Sequence, residues 1–258
     1  MKAHARAAAR FAARRLEERA LNASGAAHAF VYDGWLLGSR AGPTKRLRCV
    51  NAFYASTLAL EEKVAFCSAF YAAAGLPALF RMLPFSKPAS LDRWLDRHGW
   101  QAFEPTLVLQ SVVADSPRPA ADTPLAIVDA AVWPQRVAGL LDIDAETLPR
   151  MLERAASYPL PQAGAVIERD GEGVACGLLK LEGDHAGLFA IVTAPAWRGQ
   201  GLGRAVVAAL LAEARRRDAS IAYLQVSADN SPPRALYRGF GFWAAREYGY
   251  RARSGEQR

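Results

Sequence analysis

Three glycines stand within five residues in the segment Thr193-Ala194-Pro195-Ala196-Trp197-Arg198-Gly199-Gln200-Gly201-Leu202-Gly203-Arg204. The segment joins an apolar stretch, 186–193, to a helix predicted over 203–217 from apolar residues at helical spacing. Glycine allows the backbone to turn tightly and to approach a ligand closely. The N-terminus of a helix attracts phosphate through its free amides and its dipole. With Arg198 and Arg204 beside it, this turn is predicted to bind a pyrophosphate.

Two better-known nucleotide motifs do not fit this spacing. The dinucleotide-binding fingerprint needs a glycine at its sixth position, where counting from Gly199 gives Arg204 and counting from Gly201 gives Val206. A phosphate-binding P-loop needs a lysine after its glycines, and none follows here. The glycines by themselves leave a purely structural turn open as an alternative.

A second motif lies downstream in Asn230-Ser231-Pro232-Pro233-Arg234-Ala235-Leu236-Tyr237, followed by Gly241-Phe242. Together with Pro195 and Arg198-x-x-Gly201-x-Gly203, it resembles the two signatures of the GCN5-related N-acetyltransferases (GNAT). The resemblance covers about residues 125–258. Pro233 departs from the alanine that the family often has, but proline is tolerated in the first turn of a helix.

The resemblance implies a site for acetyl-CoA, and it assigns one part of the coenzyme to each group of residues. Pantetheine would pair with the strand at Ile191, Val192 and Thr193, where two strands separate. The pyrophosphate would be held by Arg198, Gly199, Gln200, Gly201, Leu202, Gly203 and Arg204. Asn230 would bind near the pantetheine, with a helix N-cap as its alternative role. Tyr237 would protonate the departing thiolate, with packing on an amphipathic helix as its alternative role.

The implied reaction is direct transfer of acetyl from acetyl-CoA to a primary amine in a ternary complex. It would use no metal, and no cysteine stands in either motif to form an acyl-enzyme. The alternative is a non-catalytic module that binds acyl-CoA. Four residues before the turn are candidates for the general base: Glu168, Glu182, Asp184 and His185. The sequence identifies neither the base nor the amine acceptor.

The predicted fold is α/β, with a mixed, mostly antiparallel sheet flanked by helices, the acyl-CoA N-acyltransferase fold that the resemblance implies. In the second part of the chain, we expect a helix over 130–156, strands over 163–169, 173–182 and 186–193, a strand over 220–228, a helix from Pro232 to 239 and a strand over 242–252. In the first part, we expect strands over 48–55, 77–83 and 102–112, and helices over 60–74 and 89–98.

The first part resembles the N-terminal half of tandem members of the same family, on the residues Tyr32-Asp33-Gly34-Trp35-Leu36-Leu37, Gly42-Pro43-Thr44-Lys45-Arg46 and Asn51. It is predicted to be degenerate, because the turn at 54–60 has no glycine and Leu95 stands where the second part has Tyr237. We therefore expect a degenerate lobe over 1–115, a proline-rich linker over 116–124 and a catalytic lobe over 125–258. Trp35, Arg46 and Arg48 could line an acceptor pocket, with core packing favoured for Trp35.

Composition limits the other classes of function. The chain has 258 residues, 52% of them hydrophobic and 22% charged, which suits a globular protein. No apolar run is long enough to span a membrane, and the N-terminus lacks the apolar core of a signal peptide. Three scattered cysteines form neither a disulfide framework nor a metal motif, so a cytoplasmic protein is expected.

The net charge is +7 and lies mostly in residues 1–124. No aromatic residues alternate with these cations, so the sequence favours a solvated face, or a patch for an anionic ligand, over nucleic-acid binding. The oligomeric state stays open.

Overall fold

The computed structural model describes residues 2–25, 28–40, 42, 44–117 and 125–257. Its helices are α1 (Lys2–Ser24), α2 (Leu60–Ala73), α3 (Leu91–Arg97), α4 (Trp133–Arg136), α5 (Thr147–Ala156), α6 (Leu202–Arg216) and α7 (Ser231–Arg238). Its strands are β1 (Ala29–Tyr32), β2 (Trp35–Gly38), β3 (Val50–Asn51), β4 (Phe80–Met82), β5 (Gln101–Val112), β6 (Ala126–Val128), β7 (Gln162–Arg169), β8 (Glu172–Glu182), β9 (His185–Thr193), β10 (Ile221–Ser227) and β11 (Trp243–Ala252). The predicted linker 116–124 lies outside the described residues from position 118 onward.

The described residues form two units. The first comprises residues within 1–108, 227–229 and 246–258, and the second comprises residues within 109–226 and 230–245. The strand order is β1-β2-β3-β4-β11 in the first unit and β10-β9-β8-β7-β6 in the second. Neighbouring strands pair antiparallel except β3 with β4 and β9 with β10, which are parallel. The predicted α/β class with a mixed, mostly antiparallel sheet is confirmed.

Two glycines show that helices cover both faces of the sheet in the second unit. A Cβ on Gly177 would lie 2.8 Å from side-chain atoms of α6, and a Cβ on Gly164 would lie 2.0 Å from Trp133 of α4. Gly164 pairs with Leu178, the neighbour of Gly177. Because successive side chains of a strand point to opposite faces, α6 and α4 pack on opposite faces of the sheet.

The single helix predicted over 130–156 is wrong, since the structure has the two helices α4 and α5 there. Asp142 between them has a φ of +49°, a left-handed conformation that a continuous right-handed helix does not contain. Asp144 then accepts the N–H of Thr147 at 2.6 Å and so satisfies an amide at the start of α5. Two aspartates therefore divide the apolar pattern that suggested one helix.

The strand predicted over 48–55 is also too long, because only Val50 and Asn51 pair with neighbouring strands. Beyond them, the Ala52 carbonyl accepts the N–H of Lys87 at 2.8 Å, and the Asp33 carboxylate accepts the N–H groups of Thr57 and Leu58 at 2.9 and 3.0 Å. The hairpin β1–β2 and the strand β6 were not predicted. The other predicted elements are confirmed to within a few residues at their ends.

The core of the first unit contains Trp35, which is fully buried. Its indole N–H donates to the carbonyl of Lys87 at 2.8 Å. Arg46 donates to the Ser24 hydroxyl, and Arg48 donates to a main-chain carbonyl at 2.9 Å. All three candidate pocket residues of this unit therefore have structural partners.

Within the described residues, no helix combines the length and the apolar composition that a membrane crossing requires.

Candidate functional site

The strands β9 and β10 lie side by side only where they begin. Their register joins three residue pairs, and the last of these is Gly187 with Tyr223. Further along β9, Ala190 has a φ of +47° and the pairing with β8 shifts in register, so the strand bulges. A bulge bends a strand and increases its twist. The described parts of the two strands consequently separate beyond Gly187, which leaves one edge of β9 without a strand partner.

A cavity of about 740 Å³ lies at the end of β9, beside the glycine turn and the helices α6 and α7. Its volume is typical of a pocket for a small molecule or cofactor. The lining residues are Ile191, Val192, Thr193, Trp197, Arg198, Gly199, Gly201, Leu202, Gly203, Arg204, Asn230, Pro233, Leu236 and Tyr237. Every predicted site residue except Gln200 is among them, so the structure brings both sequence motifs to one cavity.

Three lining residues were not predicted to belong to the site: Trp197, Pro233 and Leu236. Each stands inside one of the two motifs. Trp197 precedes the predicted residue Arg198, Leu236 precedes the predicted residue Tyr237, and Pro233 lies one helical turn before Tyr237. Proximity within the motif was the available signal. Which neighbours face the cavity depends on tertiary packing, which the sequence does not display.

The turn before α6 requires its glycines for conformational reasons. Gly199 and Gly201 have φ values of +77° and +78°, a region that other residues adopt only at a cost. A Cβ on either of them would meet no atom within 4 Å. Gly201 is the N-cap of α6 and offers no side chain to the first helical amides. Those amides have no partner within the helix, and the residues that carry them line the cavity. A helix N-terminus with free amides is an arrangement that binds anions.

Two arginines flank this turn. The Nε of Arg198 donates to the carbonyl of Thr193 at 3.3 Å, which ties the turn to the end of β9. The guanidinium of Arg204 lies 4.8 Å from the centre of the Phe240 ring, a favourable cation–π contact. Both arginines are exposed and line the cavity, so they add positive charge beside the helix N-terminus.

Tyr237 lies on α7 and is 7% exposed. Its ring packs edge-on against Phe242 at 5.8 Å between centroids. Burial raises the pKa of Tyr237 to about 12, because a phenolate is poorly solvated there. The side chain is therefore a neutral phenol at physiological pH and has a proton to donate into the cavity that it lines.

Asn230 occupies the N-cap position of α7, but its side chain makes no capping hydrogen bond. It is exposed and lines the cavity. The structure therefore does not support the alternative role as a helix cap and leaves the amide group available to a ligand.

The sequence of residues 132–242 matches the acetyltransferase (GNAT) family. The chain is therefore similar to this family over that segment. Over 76 residues it is 34% identical to the [ribosomal protein bS18]-alanine N-acetyltransferase of Escherichia coli K12, an alignment that covers 30% of this chain and 51% of that protein. The chain thus spans about half the length of the curated relatives that it matches.

Solved structures show the same fold at low sequence identity. A GCN5-related N-acetyltransferase from Kribbella flavida superposes with a TM-score of 0.67 at 17% identity, covering 94% of this chain and 96% of that one. A tandem GNAT protein from the clavulanic acid biosynthesis pathway superposes with a TM-score of 0.53 at 15% identity, covering 73% of this chain and 68% of that one. The chain therefore has the acyl-CoA N-acyltransferase fold of the GNAT proteins.

None of the four candidates for the general base lines this cavity, and its lining, all within the described residues, contains no carboxylate and no imidazole. Glu168 forms two hydrogen bonds with Arg136 at 2.5 and 2.6 Å, which hold the pKa of the carboxyl below its usual range. His185 contacts Asp184 at 2.6 Å and pairs with Glu182 at the start of β9. At about 3.3 Å per residue, the far end of this strand is about 26 Å away.

Proposed function

We propose that this chain is an N-acetyltransferase that transfers acetyl from acetyl-CoA directly to a primary amine in a ternary complex. One observation carries the proposal: a single cavity is lined by the glycine turn, the end of β9 and the buried phenol of Tyr237. Acetyl-CoA presents a diphosphate, a chain with two amides and a thioester. The glycine turn suits the diphosphate, the end of β9 suits the amides, and Tyr237 suits the thioester.

Binding would use mostly backbone groups. The diphosphate would accept hydrogen bonds from the amides of Gly199 to Arg204, supported by the helix dipole and the charge of Arg198. The pantetheine amides would pair with β9 at residues 191–193 as an added strand would, since this edge has no strand partner among the described residues. The Asn230 side chain would donate to or accept from the same arm.

The chemistry would proceed without a covalent enzyme intermediate. The amine nitrogen attacks the thioester carbonyl carbon, and a backbone N–H of β9 stabilises the resulting oxyanion. The C–S bond then breaks as Tyr237 gives its proton to the thiolate, and the proton lost by the amine restores the phenol through solvent. Burial raises the pKa of a thiol as it does that of a phenol, so the enclosed thiolate remains basic enough to take this proton.

The buried thiols do not favour an acyl-cysteine route. Burial raises the pKa of Cys176, the one cysteine of the second unit, to about 12, so this residue is not a thiolate at neutral pH. All three cysteines are free and buried. Free thiols persist in a reducing compartment, and we place the protein in the cytoplasm on this ground.

The acceptor is proposed as a primary amine without further restriction. The curated relatives are named for acetylating an alanine of ribosomal protein bS18, so a peptide with an amino-terminal alanine belongs in the first set of acceptors tested. Polyamines, amino acids and aminoglycosides complete that set, because the acceptor pocket of a fold is not determined by the fold.

The test uses the full chain with acetyl-CoA and this set of amines. Released CoA thiol and acetylated product are quantified together. We expect equal amounts of both with at least one amine and little release without amine. Calorimetric binding of acetyl-CoA with no product from any amine would instead support the alternative of a non-catalytic acyl-CoA-binding module.

A further inference from the structure

A second cavity, of about 320 Å³, lies in the first unit at the start of α2. Its polar lining comes from Ser56, Lys63 and Lys87, and its apolar lining includes Leu58, Leu60 and Pro88. The proposed acetyl transfer uses none of these residues. The volume suits a small ligand.

The hydrogen-bond donors of the Lys63 ammonium all have partners within the protein. Its side chain is fully buried and lies 3.1 Å from the Asp33 carboxylate. It also donates to the main-chain carbonyl of Asp33 and to the Ser56 hydroxyl oxygen. An ammonium has three donors, so none remains for a ligand, and Asp33 balances the charge.

Asp33 itself stays ionised. Hydrogen bonds from the amides of Leu58 and Thr57 hold the pKa of this carboxyl well below its usual range. The same bonds fix the segment 56–58, which forms one wall of the cavity. The wall is therefore rigid, and the pair of Lys63 and Asp33 contributes no net charge.

Two donors remain that face the cavity. The Ser56 oxygen accepts from Lys63, so its hydroxyl proton is free to donate to a ligand, and a neighbouring cation strengthens such a bond. Lys87 forms no ion pair with any residue that the structure describes. Its main-chain N–H and C=O are bound to Ala52 and Trp35, so the backbone beneath the side chain is fixed. The cavity thus carries one uncompensated positive charge beside an apolar wall.

We propose that this cavity binds a small carboxylate with a short apolar tail. The carboxylate accepts hydrogen bonds from the Ser56 hydroxyl and the Lys87 ammonium, and the tail contacts Leu58, Leu60 and Pro88. One uncompensated cation matches a monoanion. The acidic residues Glu61 and Glu62 at the start of α2 are exposed and do not line the cavity.

The test is calorimetric titration of the full chain with hexanoate, with hexanol and inorganic phosphate as comparisons. Charge-assisted hydrogen bonds justify an expectation that hexanoate binds one per chain and about tenfold more tightly than hexanol. Phosphate, which lacks a tail, is expected to bind more weakly than hexanoate. This ligand series needs no variant and tests the proposal even if a variant fails to fold.

Variants then locate the site. Lys87→Gln and Ser56→Ala are each expected to weaken hexanoate binding by about tenfold. Arg93→Gln removes an exposed charge of α3 in the same unit and is expected to leave binding unchanged. Equal affinity for hexanol and hexanoate, undiminished binding in Lys87→Gln, or displacement of hexanoate by CoA would overturn the proposal. Binding of acetyl-CoA to Lys87→Gln, measured in parallel, keeps this result separate from the acetyltransferase proposal.

Discussion

Tyr237 is the residue on which the proposed chemistry depends most directly. We expect Tyr237→Phe to lower kcat by about 100-fold, as the loss of a general acid does, while the affinity for acetyl-CoA changes little because the backbone contacts remain. Tyr158→Phe is the matched control, since Tyr158 is a half-buried phenol of the same unit with a pKa of about 12 that does not line the cavity. Steady-state kinetics measures kcat and calorimetry measures acetyl-CoA affinity for both variants. Full turnover in Tyr237→Phe would refute the role of Tyr237 as the general acid.

The raised pKa of Tyr237 also fixes the alkaline side of the pH profile. A free phenol loses half of its protons near pH 10, whereas burial raises the pKa of Tyr237 to about 12. The Tyr237 phenol therefore stays protonated as the pH rises from 7 to 10, and kcat should not fall over this interval. Measurement of kcat at saturating substrate across this range provides the check. A decline centred near pH 10 that is missing in Tyr237→Phe would show that the phenol titrates as if exposed.

At the scale of one element, the turn before α6 allows two glycines to be compared directly. Gly201→Ala forces a Cβ into a left-handed conformation, which costs roughly 1–2 kcal/mol and shifts the amides of the turn. Gly203→Ala lies inside α6, where alanine gains up to about 1 kcal/mol of helix propensity and its Cβ would be an ordinary 3.4 Å from Thr193. We expect thermal unfolding to give a lower Tm for Gly201→Ala only. Equal losses of Tm in both variants would contradict this interpretation of the turn.

The accuracy of sequence prediction differed between elements for physical reasons. The segment from β7 to α7 was predicted almost to the residue, because each element there has its own periodicity and local start and stop signals. The prediction for the segment 48–55 failed because the chain beyond Asn51 is held by Lys87, which is distant in sequence and donates its N–H to the Ala52 carbonyl at 2.8 Å. An interaction of that kind leaves no local pattern.

In the candidate site too, the features that depend on local sequence were predictable and those that depend on the folded structure were not. Both motifs are contiguous in sequence, so nearly all residues at the cavity were predictable once the motifs were placed on a turn and a helix. The positive φ values of Gly199 and Gly201 explain why the motif needs glycine. The raised pKa of Tyr237 was not predictable, because it arises from burial of the phenol in the folded structure.

At the scale of the whole molecule, the two units differ in the turns that precede α2 and α6. In the second unit, the residues of the turn before α6 line a cavity. In the first unit, the amides of Thr57 and Leu58 before α2 are bound by the Asp33 carboxylate. An internal anion thus occupies donors of the kind that a diphosphate would need, and the turn also lacks glycine.

This difference predicts how many coenzymes one chain binds. We expect calorimetric titration with acetyl-CoA to give one site per chain. In the first unit, the amides of Thr57 and Leu58 already donate to the Asp33 carboxylate, so a diphosphate could bind them only by displacing that carboxylate. The site should weaken in Gly201→Ala, which alters the second unit, and should persist in Asp33→Asn, which alters the first. Two sites of equal affinity in the unmodified chain, or loss of all binding in an Asp33→Asn chain that still unfolds cooperatively, would mean that the first unit takes part in holding the coenzyme.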